Sequence, residues 1–460
     1  MSRLVELLAD VVEPGQLLVD DAVPEEFGHD ETLGVVPVSP AAVVLPTTTA
    51  EVAEILRLAH EHRVPVIARG SGTGLSGAAV PTPGSLLVSF AKMDRILEID
   101  TENHVAVVQP GVTLEQLDHR VAPLGLVYPV FPGENSASIG GNVATNAGGM
   151  RAVKYGVTRH QVLGLEVVLP GGEVIRTGGK FVKSSSGYDL TQLVVGSEGT
   201  LGLVTEATVR LYPRLEHAAT VLVPFATLEA ITRAVPRVLE RDLGARVLEY
   251  LDAATLMAIT ANVDVELGVP EDVRRFASAY LIAVLESSHE DRLEADTATL
   301  AELLGSLGAI DVYVLSSGAA AELIVARERA FFVAKAAGAN ELIDVVVPRS
   351  AMHAYLADVA AVAEKFGSYI GGCGHVGDGN VHLSVFQPDP ERCEQTVRSV
   401  LELGVGHGGA ISGEHGIGTA KKRHLAALED PAKVALMRRI KAAFDPRGIL
   451  GPGRIFDPTP

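Results

Sequence analysis

Two histidines and a carboxylate distant in sequence are candidate metal ligands in this chain. His375 and His382 flank Gly-Asp-Gly-Asn within GCGHVGDGNVHLSVF, residues 372–386. Glu414 lies beside His415 in the glycine-bounded loop AISGEHGIGTAKKRH. Asp-Gly-Asn favours a tight turn and HLSVF favours a strand, so a β-hairpin can bring both histidines to one end of a sheet. Two imidazoles and one carboxylate with an open fourth position form the ligand set of a catalytic zinc or another divalent transition metal. The spacing is therefore compatible with a metal site, and hydrogen-bonded loop histidines are the alternative that the residues alone leave open.

Glycine is concentrated in three clusters: ARGSGTGLSGAAVPTPG, FPGENSASIGGNVATNAGG and VGSEGTLGLVTEA. The first contains GxGxxG at Gly72, Gly74 and Gly77 after the apolar run VPVIA, which alone would suggest a Rossmann dinucleotide site. A Rossmann loop must open a helix, whereas Pro81 and Pro83 follow here and the next segment, SLLVSF, is strand-like. What remains is a loop whose backbone N–H groups can face one anion. Plain turns are the alternative for one cluster, but three together favour a diphosphate-containing cofactor held outside a Rossmann fold.

Composition excludes several classes of protein. The 460 residues suffice for two or three domains, and the formal net charge of -19 excludes nucleic acid as a partner. Two cysteines are too few for an iron–sulfur cluster or a disulfide framework. Glu6 and Asp10 interrupt the first apolar pattern, which predicts a short amphipathic helix. With no apolar run long enough to span a bilayer, the chain is expected to be cytoplasmic, or peripheral to a membrane.

The elements that must position these residues follow from the apolar pattern. AVVLP, TTTAEVAEILRLAHEHR and VPVIARG predict a β-α-β unit whose helix has a Thr cap and Glu51 in its first turn. After Pro213, glycine thins out and Ala/Leu/Glu/Arg helices alternate with strands such as ATVLVPF and AYLIAVLESS, which predicts an α+β domain with an antiparallel sheet.

Several motifs together resemble a known family. RGSGTGLSG, PGENSASIGGNVATNAGG, KSSSGYDL from Lys183 and VGSEGTLGLVTEATVRL are similar to the FAD-binding domain of the vanillyl-alcohol oxidase/p-cresol methylhydroxylase superfamily. GHVGDGNVH, SGEHGIGTAKK and IKAAFDPRGIL resemble the branch with D-lactate dehydrogenase, the FAD-linked glycolate oxidase subunit and D-2-hydroxyglutarate dehydrogenase. The resemblance implies an α+β fold with a two-subdomain FAD-binding domain and a substrate, or cap, domain. The expected domains are an N-terminal helical segment at 1–40 packing on the FAD domain, the FAD domain at 41–214, a substrate and metal cap at 215–425, and a segment at 426–460 returning to the FAD domain.

The resemblance also implies which residues hold FAD. The backbone of the first loop with Ser76 would hold the diphosphate, the second cluster would line the flavin and diphosphate, and the third would face the adenosine half. The residues are Arg69, Gly70, Ser71, Gly72, Thr73, Gly74 and Ser76; Pro132, Gly133, Ser138, Gly141, Asn142 and Thr145; and Glu198, Gly202 and Val204. Some relatives tether the flavin through a histidine in the first loop, which RGSGTGLSG lacks, so FAD is expected to be noncovalent.

In the second half, the resemblance assigns His375, His382 and Glu414 as ligands of a divalent metal, zinc or manganese, and His415 as the neighbouring base. This suits the oxidation of a 2-hydroxy acid, which requires removal of the hydroxyl proton and transfer of the Cα hydride to flavin N5. A metal-bound hydroxyl is more acidic, and a neutral imidazole is a suitable proton acceptor near neutral pH.

Other polar residues have weaker assignments. Arg327 occupies the position that resembles the family's substrate arginine and could bind a carboxylate, although surface helices often carry arginine. Asn380 could contact substrate, although turn geometry also explains it. A buried thiol is expected at Cys373, and solvated charges are expected at Lys421 and Lys422.

Two departures from the family pattern concern a turn and the substrate pocket. Gly451 replaces a frequent Asn before the closing Pro-Gly, and the tryptophan that often precedes the substrate arginine is absent because the chain has no Trp. The substrate pocket is therefore less well defined than the cofactor site.

The expected function is FAD-dependent oxidation of a D-2-hydroxy acid to the 2-oxo acid, with lactate, glycolate and 2-hydroxyglutarate equally suited. Quinone, electron-transfer flavoprotein, cytochrome, a separate iron–sulfur subunit and oxygen remain open as electron acceptors, and a homodimer is open as well. The alternatives are a metal-free flavin-dependent alcohol oxidase or dehydrogenase, a zinc hydrolase without flavin, and a noncatalytic subunit of a redox complex.

Overall fold

The computed structural model describes residues 2–261 and 267–457, which fall into two compact units by their internal contacts. The first unit comprises Met1–Ala147, Val157–Arg214 and Glu414–Pro460, and the second comprises Gly148–Gly156 and Leu215–Gly413. The chain thus returns to the first unit between Gly413 and Glu414. The domain bounds predicted from the sequence follow the chain without the short excursion at 148–156, and they stay predictions.

A four-stranded sheet begins the first unit. Its strands, in the order β1-β2-β4-β3, are β1 (Leu17–Val19), β2 (Ala42–Val44), β3 (Val66–Arg69) and β4 (Leu86–Ser89). β4 pairs in parallel with both β2 and β3, and β1 is antiparallel to β2. Helix α2 (Thr49–His62) joins β2 to β3, and its Thr48 cap accepts a hydrogen bond from Glu51 N at 3.2 Å. The predicted β-α-β unit and its cap are confirmed.

The GxGxxG segment follows β3 directly. Residues 70–85 contain neither helix nor strand, so the prediction that this motif does not open a Rossmann helix is confirmed. Two prolines within this stretch, Pro81 and Pro83, disfavour helix formation because proline has no N–H to donate.

The first unit also contains a five-stranded antiparallel sheet. Its order is β5-β6-β10-β8-β9, with β5 (Ile96–Asp100), β6 (Val105–Val108), β8 (Val162–Val168), β9 (Val174–Gly178) and β10 (Leu203–Arg210); a ribbon pairs β7 (Leu126–Val127) with β11 (Tyr212–Pro213). In β10 every second residue is buried, and Ala207 and Val209 pack into the apolar core. The first unit thus contains two main sheets, each with its own apolar core cluster.

A seven-stranded antiparallel sheet organises the second unit. Its order is β15-β12-β14-β13-β17-β18-β16, with β12 (His217–Phe225), β13 (Ala245–Asp252), β14 (Ala279–Ser287), β15 (Tyr313–Val314), β16 (Glu341–Val346), β17 (Tyr369–Gly374) and β18 (Asn380–Phe386). β14 is buried at all nine of its positions. The prediction of an α+β domain with an antiparallel sheet is confirmed.

Helices connect these strands in both units. They are α1 (Ser2–Ala9), α2 (Thr49–His62), α3 (Leu114–Val121), α4 (Ile139–Thr145), α5 (Ala152–Tyr155), α6 (Thr158–Gln161), α7 (Leu190–Val194), α8 (Leu228–Leu239), α9 (Ala253–Thr260), α10 (Glu271–Phe276), α11 (Glu290–Ser306), α12 (Ser317–Glu328), α13 (Ala330–Ala336), α14 (Met352–Phe366), α15 (Pro390–Gly406), α16 (Lys422–Leu428) and α17 (Pro431–Phe444). Within the described residues, none of these helices has the length and apolar character needed to cross a membrane.

Candidate active site

The first two glycine clusters meet in the first unit. Ser71 Oγ donates to Ser136 O at 2.6 Å. A Cβ on Gly70 would come 2.2 Å from Ser138 Oγ, so only glycine allows this approach. Ser138 caps α4 by accepting from Gly141 N at 3.2 Å. Four predicted cofactor residues, Gly70, Ser71, Ser138 and Gly141, are therefore brought together.

The third cluster joins the same helix. Gly196 N donates to Val143 O at 2.9 Å, and Glu198 N donates to Ala144 O at 2.8 Å. A Cβ on Gly202 would come 2.5 Å from Val167 Cγ1, so Gly202 permits close packing against β8. The convergence of three clusters is what a single extended cofactor site requires.

One buried side chain supports the fit of FAD. Asn142 is 4% exposed, and among the described residues its Nδ2 has no hydrogen-bond partner. A buried donor without a partner costs about 1–3 kcal/mol, and the oxygen atoms of a dinucleotide are suitable acceptors. Gly72 adopts φ +78°, which a loop with inward-facing N–H groups requires. The residues present therefore fit FAD.

The remaining predicted cofactor residues lie in the strands, loops and helix that carry the three glycine clusters. Arg69 ends β3, and its Nη1 donates to His29 O at 2.5 Å, so its side chain faces the N-terminal segment. Thr145 Oγ1 donates to Gly141 O at 3.2 Å within α4. Thr73 and Gly74 lie in the first loop, Pro132 and Gly133 in the second, and Val204 in β10.

Ser76 and Glu198 bind protein in this structure. We call residues 414–419 the return segment. Ser76 Oγ donates to His415 O at 2.8 Å and to Gly416 O at 3.0 Å. The two carboxylate oxygens of Glu198 accept from Ile417 N at 2.8 Å and Gly418 N at 2.7 Å. Their predicted roles toward FAD stay predictions, but both side chains already hold the return segment.

Glu198 has an unusual backbone and a buried carboxylate. Its φ of +51° lies in the left-handed region, which costs a non-glycine residue about 1–2 kcal/mol. Burial raises the pKa of Glu198, while the N–H donors of Ile417 and Gly418 and the charges of Lys421 and Arg454 lower it; the net pKa is raised.

The expectation that Lys421 is a solvated charge is wrong, because its side chain is buried near this carboxylate. Its neighbour Lys422 forms an exposed pair with Asp457 at 2.6 Å.

The predicted hairpin is present in the second unit and brings the two histidines together. β17 and β18 are antiparallel, with Cys373 opposite His382. The Nε2 atoms of His375 and His382 are 3.1 Å apart, and the two rings are inclined by 80°. His375 Nδ1 forms a short hydrogen bond with Glu249 Oε1. A carboxylate at Nδ1 favours the tautomer protonated there, which leaves a lone pair on the Nε2 of His375.

The histidine pair suits two ligands of one metal ion. At zinc–nitrogen distances of about 2.0–2.1 Å, two nitrogens of a tetrahedral site lie about 3.3 Å apart. The observed 3.1 Å is close to that value. The buried Glu249 behind His375 is the carboxylate–histidine arrangement that orients metal ligands. The two imidazoles therefore fit a divalent metal.

Glu249 is the central carboxylate of this arrangement. It is fully buried in β13, and its Oε2 accepts from Arg327 Nε at 3.0 Å and Nη2 at 2.6 Å. Burial alone would raise the pKa of Glu249, but the charges of His375 and Arg327 outweigh it, so the pKa is lowered. Arg327 is also buried, so the residue predicted to bind the substrate carboxylate already binds a protein carboxylate.

A second buried carboxylate, Asp344, lies behind His382. The two residues are directly opposite in the pairing of β16 with β18, although the 3.9 Å between Asp344 Oδ1 and His382 Nδ1 is longer than a hydrogen bond. Three neutral donors hold Asp344: Asn380 Nδ2 at 2.8 Å, Ser412 Oγ at 2.8 Å and Gly413 N at 3.1 Å. Asn380 Nδ2 also donates to Val345 O at 3.0 Å, so both of its amide hydrogens are used within the protein.

The network around Asp344 extends to the end of the second unit at Gly413. Glu414 and His415 come next in the chain and belong to the first unit. Their side chains are 3.8 Å apart between His415 Nε2 and Glu414 Oε1, which is too long for a hydrogen bond. His375 and His382 thus belong to the second unit, whereas Glu414 and His415 belong to the first. A single metal site that combines them stays a prediction.

Cys373 is a buried free thiol, as predicted. Burial raises its pKa, so the protonated form is favoured over the thiolate that binds metals.

Sequence reasoning missed Glu249 and Asp344. Each is an acidic residue with apolar or aromatic neighbours on both sides inside a strand, in ARVLEYLD and ELIDVV. A carboxylate in a buried strand is costly unless it is paired, so its presence in such a run is a signal of a partner. The partner itself could not be read from the sequence, because Glu249 and His375 are 126 positions apart.

Replacing Gly379 by alanine should destabilise the histidine hairpin. Gly379 adopts φ +82°, and an added Cβ would come 2.1 Å from Val347 O. We expect a loss of about 2–4 kcal/mol in the free energy of unfolding, measured by chemical denaturation. Gly367→Ala is the matched control, because Gly367 has φ +63° but open space around its Cβ position. Its loss should be about 1 kcal/mol, and equal losses in both variants would contradict a steric role for Gly379.

Comparison with known protein families gives two matches along the chain. The model described as "FAD binding domain" matches residues 40–178, and the model described as "FAD linked oxidases, C-terminal domain" matches residues 214–455.

Three relatives are similar over at least 95% of their length. An uncharacterized FAD-linked oxidoreductase of Mycobacterium tuberculosis is 52% identical over 100% of both chains. The D-lactate dehydrogenase of Anaerostipes hadrus is 37% identical over 96% of this chain and 95% of its own. The D-2-hydroxyglutarate dehydrogenase of Stutzerimonas stutzeri is 33% identical over 98% of each.

Among solved structures, p-cresol methylhydroxylase with substrate bound matches with a TM-score of 0.82. The match covers 99% of this chain and 97% of that one, at 20% identity. At this identity the likeness shows the fold alone, and it confirms the predicted fold class.

Proposed function

This chain belongs to the family of FAD-linked oxidases, and on that premise we propose that it oxidises a D-2-hydroxy acid to the corresponding 2-oxo acid with the help of a divalent metal. The observation that carries the proposal is the imidazole pair, with His375 and His382 3.1 Å apart at Nε2 and with His375 held at Nδ1 by the buried Glu249. Relatives that carry the names D-lactate dehydrogenase and D-2-hydroxyglutarate dehydrogenase support this substrate class.

Each cofactor would supply one property to the reaction. The three glycine clusters would hold FAD, whose flavin would supply a hydride acceptor. His375, His382 and Glu414 would hold a zinc or manganese ion, which would make a coordinated hydroxyl more acidic.

The chain's own residues would supply proton transfer and orientation. His415 would accept the hydroxyl proton on its imidazole, a role that suits a group with a pKa near neutrality. Glu249 would hold the ring of His375, and Asp344 would order the end of the second unit through Ser412 and Gly413.

The substrate carboxylate needs a cation, for which Arg327 is the predicted group. Its Nε and Nη2 bind Glu249. Any contact of Arg327 with substrate would therefore be made together with Glu249, which also orients His375. Asn380 would act only as an acceptor toward substrate, since its Nδ2 hydrogens are used.

A dye-reduction screen tests the proposal. Purified holoprotein would be assayed with paired D and L forms of lactate, 2-hydroxyglutarate and longer 2-hydroxy acids, together with glycolate, before and after treatment with a chelator. We expect reduction with one or more D forms, loss after chelation, and recovery with zinc or manganese. No turnover with any 2-hydroxy acid would reject the substrate class, and full turnover after complete metal removal would favour a metal-free flavin-dependent alcohol dehydrogenase.

FAD should be released when the protein is precipitated with acid. The first loop, residues 69–77, contains no histidine that could form a covalent link to the flavin. The yellow colour should therefore appear entirely in the supernatant, measured by its flavin absorbance. Colour retained in a washed protein pellet would contradict noncovalent binding.

Two alternative functions can be distinguished from the proposed one. A zinc hydrolase without flavin does not suit a member of an FAD-linked family. A noncatalytic redox subunit would fail to reduce a dye with any hydroxy acid. The electron acceptor and a homodimeric state, like the cytoplasmic location, stay predictions.

A further inference from the structure

The return segment carries the proposed base, and its backbone is held by two side chains of the glycine loops. All of these residues belong to the first unit. The single hydroxyl hydrogen of Ser76 is shared between two successive carbonyls, those of His415 and Gly416. Glu198 accepts from two successive amides, those of Ile417 and Gly418. Three consecutive peptide groups, from His415–Gly416 to Ile417–Gly418, are thus fixed directly after the Cα of His415.

The backbone of Ser76 adds to these hydrogen bonds, which we call the clamp on the return segment. Ser76 O accepts from Thr419 N at 2.9 Å and from Ala420 N at 3.1 Å. Gly418 adopts φ +52°, and a Cβ there would come 1.9 Å from Ser76 O, so the two segments touch at a point where no side chain fits. Ser76 is only 1% exposed. The contact is therefore a close-packed junction.

Glu198 is shaped for this contact by its own backbone. It adopts a left-handed conformation between Gly196 and Gly199, which also have positive φ. Its amide is fixed by Ala144 O at 2.8 Å. A strained residue that persists at such a position suggests a function for its side chain, and the two N–H groups of the return segment are the contacts that the side chain makes.

We propose that Glu198 and Ser76 are positioning residues for His415, and that they couple the base to the flavin-binding loops. The inference rests on the proposed function, in which His415 accepts the substrate proton. It reassigns Glu198 from the adenosine half of FAD to the return segment. A misplacement of about 1 Å at a reacting group costs about 100-fold in rate, so a clamp of this kind has a measurable effect.

The test compares the FAD-bound Glu198→Gln variant with the unaltered holoprotein by four quantities: hydrogen exchange, FAD affinity, KM and the rate of flavin reduction. A carboxamide keeps one acceptor but presents an NH2 group to the second amide, so one hydrogen bond is lost. We expect faster hydrogen exchange of a peptide containing Ile417 and Gly418, measured by mass spectrometry. We expect an unchanged FAD dissociation constant and KM, and a fall of about 10- to 100-fold in the rate of flavin reduction at saturating substrate. Glu198→Asp should recover part of that rate.

Matched variants separate this effect from general damage. Glu166→Gln removes a buried carboxylate of the same unit that binds Thr49 and Thr205, and it should change neither the exchange nor the reduction rate. Glu198→Gly keeps the left-handed backbone without strain, so it keeps the test available if Glu198→Gln folds poorly. Ser76→Ala should lower the reduction rate in the same direction.

Two outcomes would overturn the inference. One is FAD affinity lowered tenfold or more, with normal turnover at saturating FAD, which would assign Glu198 to the cofactor. The other is unchanged exchange and turnover in Glu198→Gln while His415→Ala is inactive. Full activity of His415→Ala would instead reject the proposed function, so the two failures are distinguishable.

Discussion

Replacing His415 by alanine should lower kcat for the oxidation of a 2-hydroxy acid by about 10²–10⁴-fold. The proposed reaction requires a group that removes the hydroxyl proton, and no other residue is assigned that role. Because Ser76 hydrogen-bonds to the backbone carbonyl of His415, the substitution keeps this hydrogen bond and should leave the fold and FAD binding intact. Stopped-flow measurement of flavin reduction, with FAD content measured in parallel, gives the rate without interference from the electron acceptor.

The control for His415 is a histidine outside the site. His62 is exposed at the end of α2 in the same unit, so His62→Ala should keep the rate of the unaltered protein. Added imidazole should restore part of the rate to His415→Ala, because a free base can replace the missing one. A His415→Ala protein with full kcat would show that the base is another group.

Glu249→Gln should lower metal affinity by about 10- to 100-fold and lower turnover in parallel. The carboxylate accepts from His375 Nδ1 and from two guanidinium nitrogens of Arg327. A carboxamide can satisfy one of these partners with its oxygen but offers an NH2 group to the other, so the tautomer of His375 or the position of Arg327 must change. Metal content after dialysis against a buffered metal series, measured by elemental analysis, gives the affinity.

The matched control is another buried carboxylate of the second unit. Glu286 binds Lys154 and Arg246, each at 2.9 Å, and Tyr155. Glu286→Gln removes a comparable buried charge from a place outside the site, so its metal affinity should be unchanged. If Glu249→Gln and Glu286→Gln retain metal equally well, Glu249 does not orient a ligand.

Features that depend only on neighbouring residues, such as a helix cap and a hairpin turn, could be predicted from the sequence. Thr48 caps α2 because a side-chain oxygen three residues before an amide can accept from it, and this pattern is readable in TTTAEV. The turn at Gly379 is likewise local, so the hairpin and the proximity of its two histidines follow from sequence.

The parts that depend on distant pairing could not be predicted. Asp344 lies opposite His382 only because β16 pairs with β18 in one register, and no local signal fixes that register. The contacts of Ser76 and Glu198 with the return segment span 339 and 219 positions, respectively. Family resemblance predicted both as cofactor-binding residues, but the partners of their side chains required the structure.

Lys421 illustrates the same limit. Two adjacent lysines after a glycine-rich loop are usually solvated, and Lys422 has an exposed partner in Asp457. Lys421 is buried, and its charge interacts with the buried carboxylate of Glu198. A buried charge depends on its partner, and the partner is 223 positions away by the numbering of the chain.

The central claim, metal-assisted oxidation of a D-2-hydroxy acid by bound FAD, is tested most directly by anaerobic flavin reduction. The holoprotein is mixed without oxygen or dye with the D or L form of the best substrate from the screen, and the visible absorbance of oxidised flavin is followed. We expect bleaching by the D form, at least about 100-fold slower bleaching after metal removal, and recovery with added zinc or manganese. Flavin that stays oxidised with every 2-hydroxy acid, or bleaching that is unaffected by complete removal of metal, would contradict the central claim.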